Sequence, residues 1–197
     1  DDEFIGTVFV DYVIRDTAGE TASATVTIEV MIDTSLLPTI VPPLDVTVDS
    51  TGPFTFVELG TAVAADRNGQ SLTVENDSKP HFRPGIHSVV WTAADAEGNE
   101  TTAIQSVRVI PQITLIKAQN TVEGATAIIK VMLNGDAVEY PVTISYEVGG
   151  SASVDGDDHN LVNGELKIEN NQTEASIRVK IADDGLSDGP EHIVVTF

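Results

Sequence analysis

An all-β chain built of tandem β-sandwiches is the fold class that the sequence predicts, and three observations predict it. Val, Ile and Thr dominate the ordered-looking stretches while Gly, Asn and Asp punctuate them, which is the chemistry of strands and turns. No apolar period of 3.6 persists through three turns, so helix should be nearly absent. The chain has 197 residues, long enough for one large or two ordinary domains, and part of it repeats.

The repeat lays "VDYVIRDTAGETASATVTIEV", Val10 to Val30, over "VVWTAADAEGNETTAIQSVRV", Val89 to Val109. The offset is constant at 79 residues, the distance from Asp16 to Asp95, and it pairs Val10 with Val89, Tyr12 with Trp91, Ala24 with Ala103 and Ile28 with Val107. Alternation puts the aromatic and aliphatic members on one face. "DTAGE" and "DAEGN" each supply an Asp to start a turn and a Gly free to take positive φ. Each copy is a hairpin of two long strands. A repeat of about 80 residues is the length of one immunoglobulin-like sandwich, with the hairpin as its last two strands.

Residues 1–33 then read as the C-terminal hairpin of a truncated immunoglobulin-like domain. So short a segment cannot bury a core, so the hairpin must pack on its neighbour, on another copy, or on residues outside this chain. The opening "DDEF" lacks the basic region of a signal peptide, and the chain reads as an internal piece of something longer. From Asp33 to Pro43, "DTSLLPTIVPP" holds three prolines and predicts an extended, semi-rigid linker. From "LDVTVDS" to Val109, runs separated by "STGP", "DRNGQ", "NDSKP" and "RPG" predict roughly seven strands in a second unit, residues 34–111. Trp91 belongs to its core, because residues 89 and 93 share its face. Pro111 marks a second joint, and residues 112–197 form a third unit.

Over Asp45–Val109, "LDVTVDSTGP", "AVAADRNG" and "FRPGIHSVVWTAADAEGN" together resemble the hyalin-repeat (HYR) type of immunoglobulin-like domain. The resemblance implies a spacer or adhesion module, and the absence of cysteine is similar to the bacterial versions, which lack a disulfide.

In the third unit the markers are "VEG" at 122–124, "PVTISYEV" at 141–148, "SASVDGDDH" at 151–159 and "IADDGLSDGPEHIVV" at 181–195. Together they resemble a Calx-beta domain, an immunoglobulin-like calcium-binding module, here C-terminally truncated. By position the resemblance implies Ca2+ ligands at Glu123, Asp158, Asp183, Asp184, Asp188 and Glu191, with the Leu186 carbonyl as a further donor. Gly185 stands where the family has a third acidic residue, and Phe197 precedes the family's closing strand and final acidic triplet, which implies fewer ions than in full members. His159 replaces the usual Tyr as a packing residue.

The residues point the same way on their own. Calcium takes 6–8 oxygens from carboxylates and carbonyls held by turns, and "DDGLSDGPE" offers such a set. Two unit charges ~4 Å apart repel by about 4 kcal/mol at an effective dielectric near 20, so these carboxylates either splay into water or hold a cation. The whole chain carries a formal charge of −21, spread over all three segments. Such acidity argues against nucleic acid and anionic membranes and matches either a solvated anionic surface or bound cations.

Cysteine is absent, which removes disulfides and zinc-thiolate sites. No run of 18 apolar residues suggests membrane insertion. The histidines at 81, 87, 159 and 192 lack metal-ligand spacing, and no hydrolase, Walker or dinucleotide motif occurs. The chain reads as no enzyme, with neither catalytic nor cofactor-binding residues beyond the calcium set.

The reading is a structural and adhesive segment of a large extracellular repeat protein, a bacterial adhesin or surface filament stiffened by calcium. Its partners would be neighbouring domains of the same long chain, other copies through strand exchange, and a host protein or glycan. The alternative is a carbohydrate- or protein-binding accessory module of a secreted polysaccharide-degrading enzyme, for which His81, Phe82 and Tyr140 are the aromatic loop candidates.

Overall fold

A computed structural model describes residues 4–31, 36–116, 119–152, 158–183, 185 and 189–197. Among them the chain is all-β, in three groups of strands. The first is a lone antiparallel hairpin of β1 (Gly6–Arg15) and β2 (Thr21–Val30), paired from Gly6↔Val30 to Arg15↔Thr21.

The second group runs β3 (Thr39–Val41), β4 (Val46–Asp49), β5 (Thr55–Phe56), β6 (Val63–Ala65), β7 (Ser71–Leu72), β8 (Val74–Asn76), β9 (His81–Phe82), β10 (Gly85–Ala94) and β11 (Glu100–Ile110). A four-stranded sheet, β4-β11-β10-β8, faces a smaller sheet, β3-β6-β7, and a short β5-β9 ladder. Between these layers lie Val57, Ala62, Phe82, Val89, Trp91, Val107 and Val109. Nine strands replace the expected seven, because Gly-, Pro- and Asx-rich connections leave β5, β7 and β9 only two residues each.

The linker expectation also needs correcting. Thr39–Val41 pairs with β6, Ile40 packs on the core and Pro38 is buried, so this Pro-rich stretch is part of the second unit from Pro38 onward. Residues 32–35 lie outside those described.

The two long hairpins share one register. β10 pairs with β11 from Gly85↔Val109 to Ala94↔Glu100, which is the β1–β2 pairing shifted by the distance from Asp16 to Asp95. Their turns match too. Asp16 Oδ1 accepts the Ala18 and Glu20 amides at 2.9 and 2.8 Å, and Asp95 Oδ1 accepts those of Glu97 and Asn99 at 3.0 and 2.8 Å. Gly19 and Gly98 take φ of 92° and 88°, the left-handed region that glycine enters without a Cβ penalty. "DRNGQ", residues 66–70, builds a third copy of this turn between β6 and β7.

The third group comprises β12 (Ile113–Leu115), β13 (Thr126–Leu133), β14 (Val142–Gly150), β15 (Gly164–Ile168), β16 (Glu174–Lys180) and β17 (Ile193–Thr196). Sheets β12-β13-β16 and β15-β14-β17 enclose a second core of Val131, Leu133, Ile144, Leu161, Leu166, Ile168, Ile177 and Val179. Tyr140 closes one corner, its hydroxyl accepting the Ala137 amide at 2.9 Å and donating to the Gln172 carbonyl at 3.1 Å.

Candidate functional site: an acidic loop end and a built joint

Short backbone contacts gather the acidic residues at one end of the third unit. The Gly124 amide donates to Ala182 O at 3.2 Å, Ile181 N to Ala125 O at 3.0 Å, and Ala182 N to Asp158 O at 2.9 Å. His159 and Ile181 form an isolated bridge, and Lys180 N donates to Asn160 Oδ1 at 2.7 Å. Segments 122–125, 158–160 and 180–183 are thereby laid side by side, carrying Glu123, Asp158 and Asp183. The approach of 124 to 183 is close: a Cβ on Gly124, whose φ is +72°, would lie 3.8 Å from Asp183 Oδ2.

Glu191 lies on a separate contact, made by its neighbour. The His192 amide donates to Ser151 Oγ at 2.9 Å, and its carbonyl accepts from Ser151 N and Ala152 N at 2.9 and 3.1 Å. Gly150 is required there, since a Cβ would run into the His192 carbonyl. Asp184 and Asp188, the other two sequence-derived ligands, and the Leu186 carbonyl lie outside the described residues. Among the described residues no three carboxylates or histidines stand close enough to hold a metal together. His159 is buried in packing, with Nδ1 accepting the Leu161 amide at 3.1 Å.

A second constructed feature joins the second and third units. Asn134, just after β13, exchanges backbone and side-chain bonds with Gln112: Asn134 N to Gln112 O at 3.1 Å, and Gln112 N to Asn134 Oδ1 at 2.7 Å. Its Nδ2 crosses to the second unit, donating to Ser50 Oγ at 2.6 Å and Gly52 O at 3.1 Å. Ser50 is itself buried and fixed by its amide bond to Ile110 O at 2.8 Å. Arg108 reaches the other way, to the Val138 carbonyl at 3.2 Å. Gly135 lies flat on Pro84, where a Cβ would approach the proline ring to 2.8 Å. Side chain, backbone and shape thus all fix the contact.

Sequence reasoning places a joint at Pro111 but missed the residues that build it. "NGD" at 134–136 reads as an ordinary turn, and nothing local marks Ser50 or Pro84 as its partner. The aromatic loop candidates also change. Phe82 is core, at 6% exposed, and the Tyr140 hydroxyl is bonded within its own unit, whereas Phe54 stands exposed beside Arg83 and Phe56 beside His81.

No family model matches the chain. A hyalin of Lytechinus variegatus is 29% identical over 157 residues, which cover 74% of this chain and 28% of that protein. A hyalin of Strongylocentrotus purpuratus is 32% identical over 118 residues, covering 54% of this chain and 9% of that protein. The chain therefore spans less than a third of the length of these relatives. The similarity agrees with the hyalin-repeat pattern of Asp45–Val109. It also extends further, because 74% of 197 residues is more than lies before Gln112, so the first match reaches into the third unit.

Proposed function

We propose that this chain is a spacing and adhesive segment of a large extracellular repeat protein, in which sandwiches are held end to end by built joints. The single observation that carries the reading is the joint itself. A flexible tether needs no residue like Asn134, which satisfies both neighbouring units at once, and no Gly135 fitted to a proline. In arrays of this kind, stability combines each module with its neighbour interface, so a fixed joint transmits extension. Similarity to two hyalins supports an extracellular, adhesion-type module and a non-catalytic role. Among the described residues no helix is long and apolar enough to cross a membrane. Freedom from cysteine and the charge of −21 are what favour a bacterial surface assembly within that class.

Calcium stiffening belongs to the same proposal. Glu123, Asp158 and Asp183 occupy adjacent segments, and Asp184, Asp188 and Glu191 follow Asp183 within eight residues of sequence. This all-oxygen set suits a hard cation. Sites in extracellular modules have Kd of about 10⁻⁴–10⁻³ M, and free calcium at ten to a hundred times Kd would add about 1.4–2.7 kcal/mol by linkage. The β1–β2 hairpin fits the same design as the closing hairpin of a further unit, covered by the rest of that unit or by another copy through strand exchange.

Small-angle scattering of the whole chain tests the joint. Asn134→Ala should broaden the distribution of maximum dimensions while both units keep their melting transitions; an unchanged profile would remove the strut reading. Calorimetric titration tests the ion separately. Saturable heat that Asp183→Ala abolishes supports calcium, and no heat with no shift of Tm under chelator leaves the acidic loops as solvated surface.

A further inference from the structure

Adhesion needs a surface as well as a spacer, and the β5–β9 ladder presents one. Thr55 pairs with Phe82 and Phe56 with His81, so alternation sends Thr55 and Phe82 inward and Phe54, Phe56, His81 and Arg83 outward on one face. Thr55 and Phe82 are buried, at 2% and 6% exposed, whereas Phe54 and Phe56 remain 53% and 63% exposed. The Arg83 guanidinium stands 5.0 Å over the Phe54 ring, and Phe56 meets His81 edge to face at 5.6 Å. The two rings stand on one face, Phe54 with a cationic neighbour and Phe56 with an imidazole.

The local charge is unlike that of the rest of the molecule. Between Asp77 and Asp95 the sequence carries no carboxylate, yet it holds Lys79, His81, Arg83 and His87 in a protein with only 10 Lys and Arg. Among the described residues no carboxylate forms a salt bridge with Arg83, which is exposed and stands over an aromatic ring. Beside Phe56 opens a shallow hollow of about 330 Å³, lined in part by Glu58, Asn76 and Ser78. That volume is within the ~300–1,000 Å³ typical of small-ligand sites.

We propose that this platform binds an acidic glycan. One sugar face would stack on Phe56, its hydroxyls would meet Asn76, Ser78 and the accepting carboxylate of Glu58 in the hollow, and a uronate or sulfate would lie against Arg83 and His81. Size favours a sugar over a protein partner. Two aromatic side chains present at most about 150–250 Å² each, well short of the ~800 Å² per side of a standard protein interface. Charge favours an acidic group at the Arg83 end of the platform, where the guanidinium stands over Phe54, while Glu58 lines the hollow beside Phe56.

Affinity electrophoresis and calorimetry of the whole chain with heparin, polygalacturonate and neutral dextran test the proposal. At least one acidic glycan should bind and dextran should not. Phe56→Ala and Arg83→Gln should each weaken binding by about fivefold or more, the scale of one stacked or cation–π contact. Both side chains are exposed, so Tm should hold, and Lys130→Gln, a cation on another unit, should leave affinity unchanged. Three results would overturn it: no binding to either acidic glycan, binding that Phe56→Ala leaves intact, or self-association of the chain that Arg83→Gln abolishes while no glycan binds. The last would assign the surface to contact between copies.

Discussion

The two long hairpins are one structure in two settings. β1–β2 and β10–β11 have the same register, the same Asp-started turn and the same left-handed glycine, yet their apolar faces meet opposite fates. Val89, Trp91, Val107 and Val109 are buried against a second layer, while Val10, Tyr12 and Ile28 stand 46%, 47% and 45% exposed. A hairpin's local geometry is therefore written in its own residues, and its burial is written elsewhere. Even the polar exception follows this rule. Gln105, fully buried, donates to Leu44 O and Leu59 O at 2.6 and 2.9 Å and accepts from Trp91 Nε1 at 3.2 Å; its counterpart is Val26, 45% exposed.

Paired substitutions break the comparison where burial differs. Trp91→Ala should destabilise the second unit by about 3–5 kcal/mol in urea melts, because it empties the core. Tyr12→Ala should change stability by less than about 1 kcal/mol. Next in size, Gln105→Ala should cost about 3 kcal/mol, since it strands two buried carbonyls and an indole N–H; Val26→Ala should cost a fraction of that.

Where the hairpins agree, substitutions should agree. Gly98→Ala and Gly19→Ala each force a Cβ into the left-handed region at a cost of about 1–2 kcal/mol, read from the loss of turn amide protection in each hairpin alone. A large effect at one turn and none at the other would show that the turns are not equivalent. The smallest effect is one of pH. The Asn99 side-chain hydrogen bond, against desolvation as the next largest effect and with the backbone donors of Asn99, Glu97 and Gly98 beside it, holds the Asp95 carboxyl below its ordinary range. A depressed folded value means that the contribution is present above the unfolded value near 3.8 and is lost as pH falls through the folded one. Amide exchange at Glu97 and Asn99 should thus accelerate below about pH 3.8 while the sheet amides of β10 stay protected.

The same division explains what was legible in the sequence. Strand alternation, the 79-residue repeat from Asp16 to Asp95 and the burial of Trp91 follow from local period and turn chemistry. The stretch from Leu36 to Pro43 misled because its prolines outweigh a three-residue strand held by partners at Val63–Ala65. In "PFTFV" polarity is inverted, with Thr55 inward because its hydroxyl caps the Thr51 amide at 3.0 Å and both Phe residues outward, so the platform could not be read from hydrophobicity. Pro111 marked the place of the joint, but its contacts were illegible because Asn134 and Ser50 are 84 residues apart. Of the acidic set, Glu123, Asp158 and Asp183 lie on neighbouring segments, a juxtaposition made by backbone contacts between positions more than twenty residues apart.

Residue-resolved amide hydrogen exchange on the whole chain tests the central claim most directly, read at positions paired by the repeat. If cover alone separates the hairpins, Tyr12 and Ala24 should exchange orders of magnitude faster than Trp91 and Ala103, despite identical pairing. Equal protection at the two sets would contradict the account, because it would mean that the first hairpin is as securely covered in solution as the second.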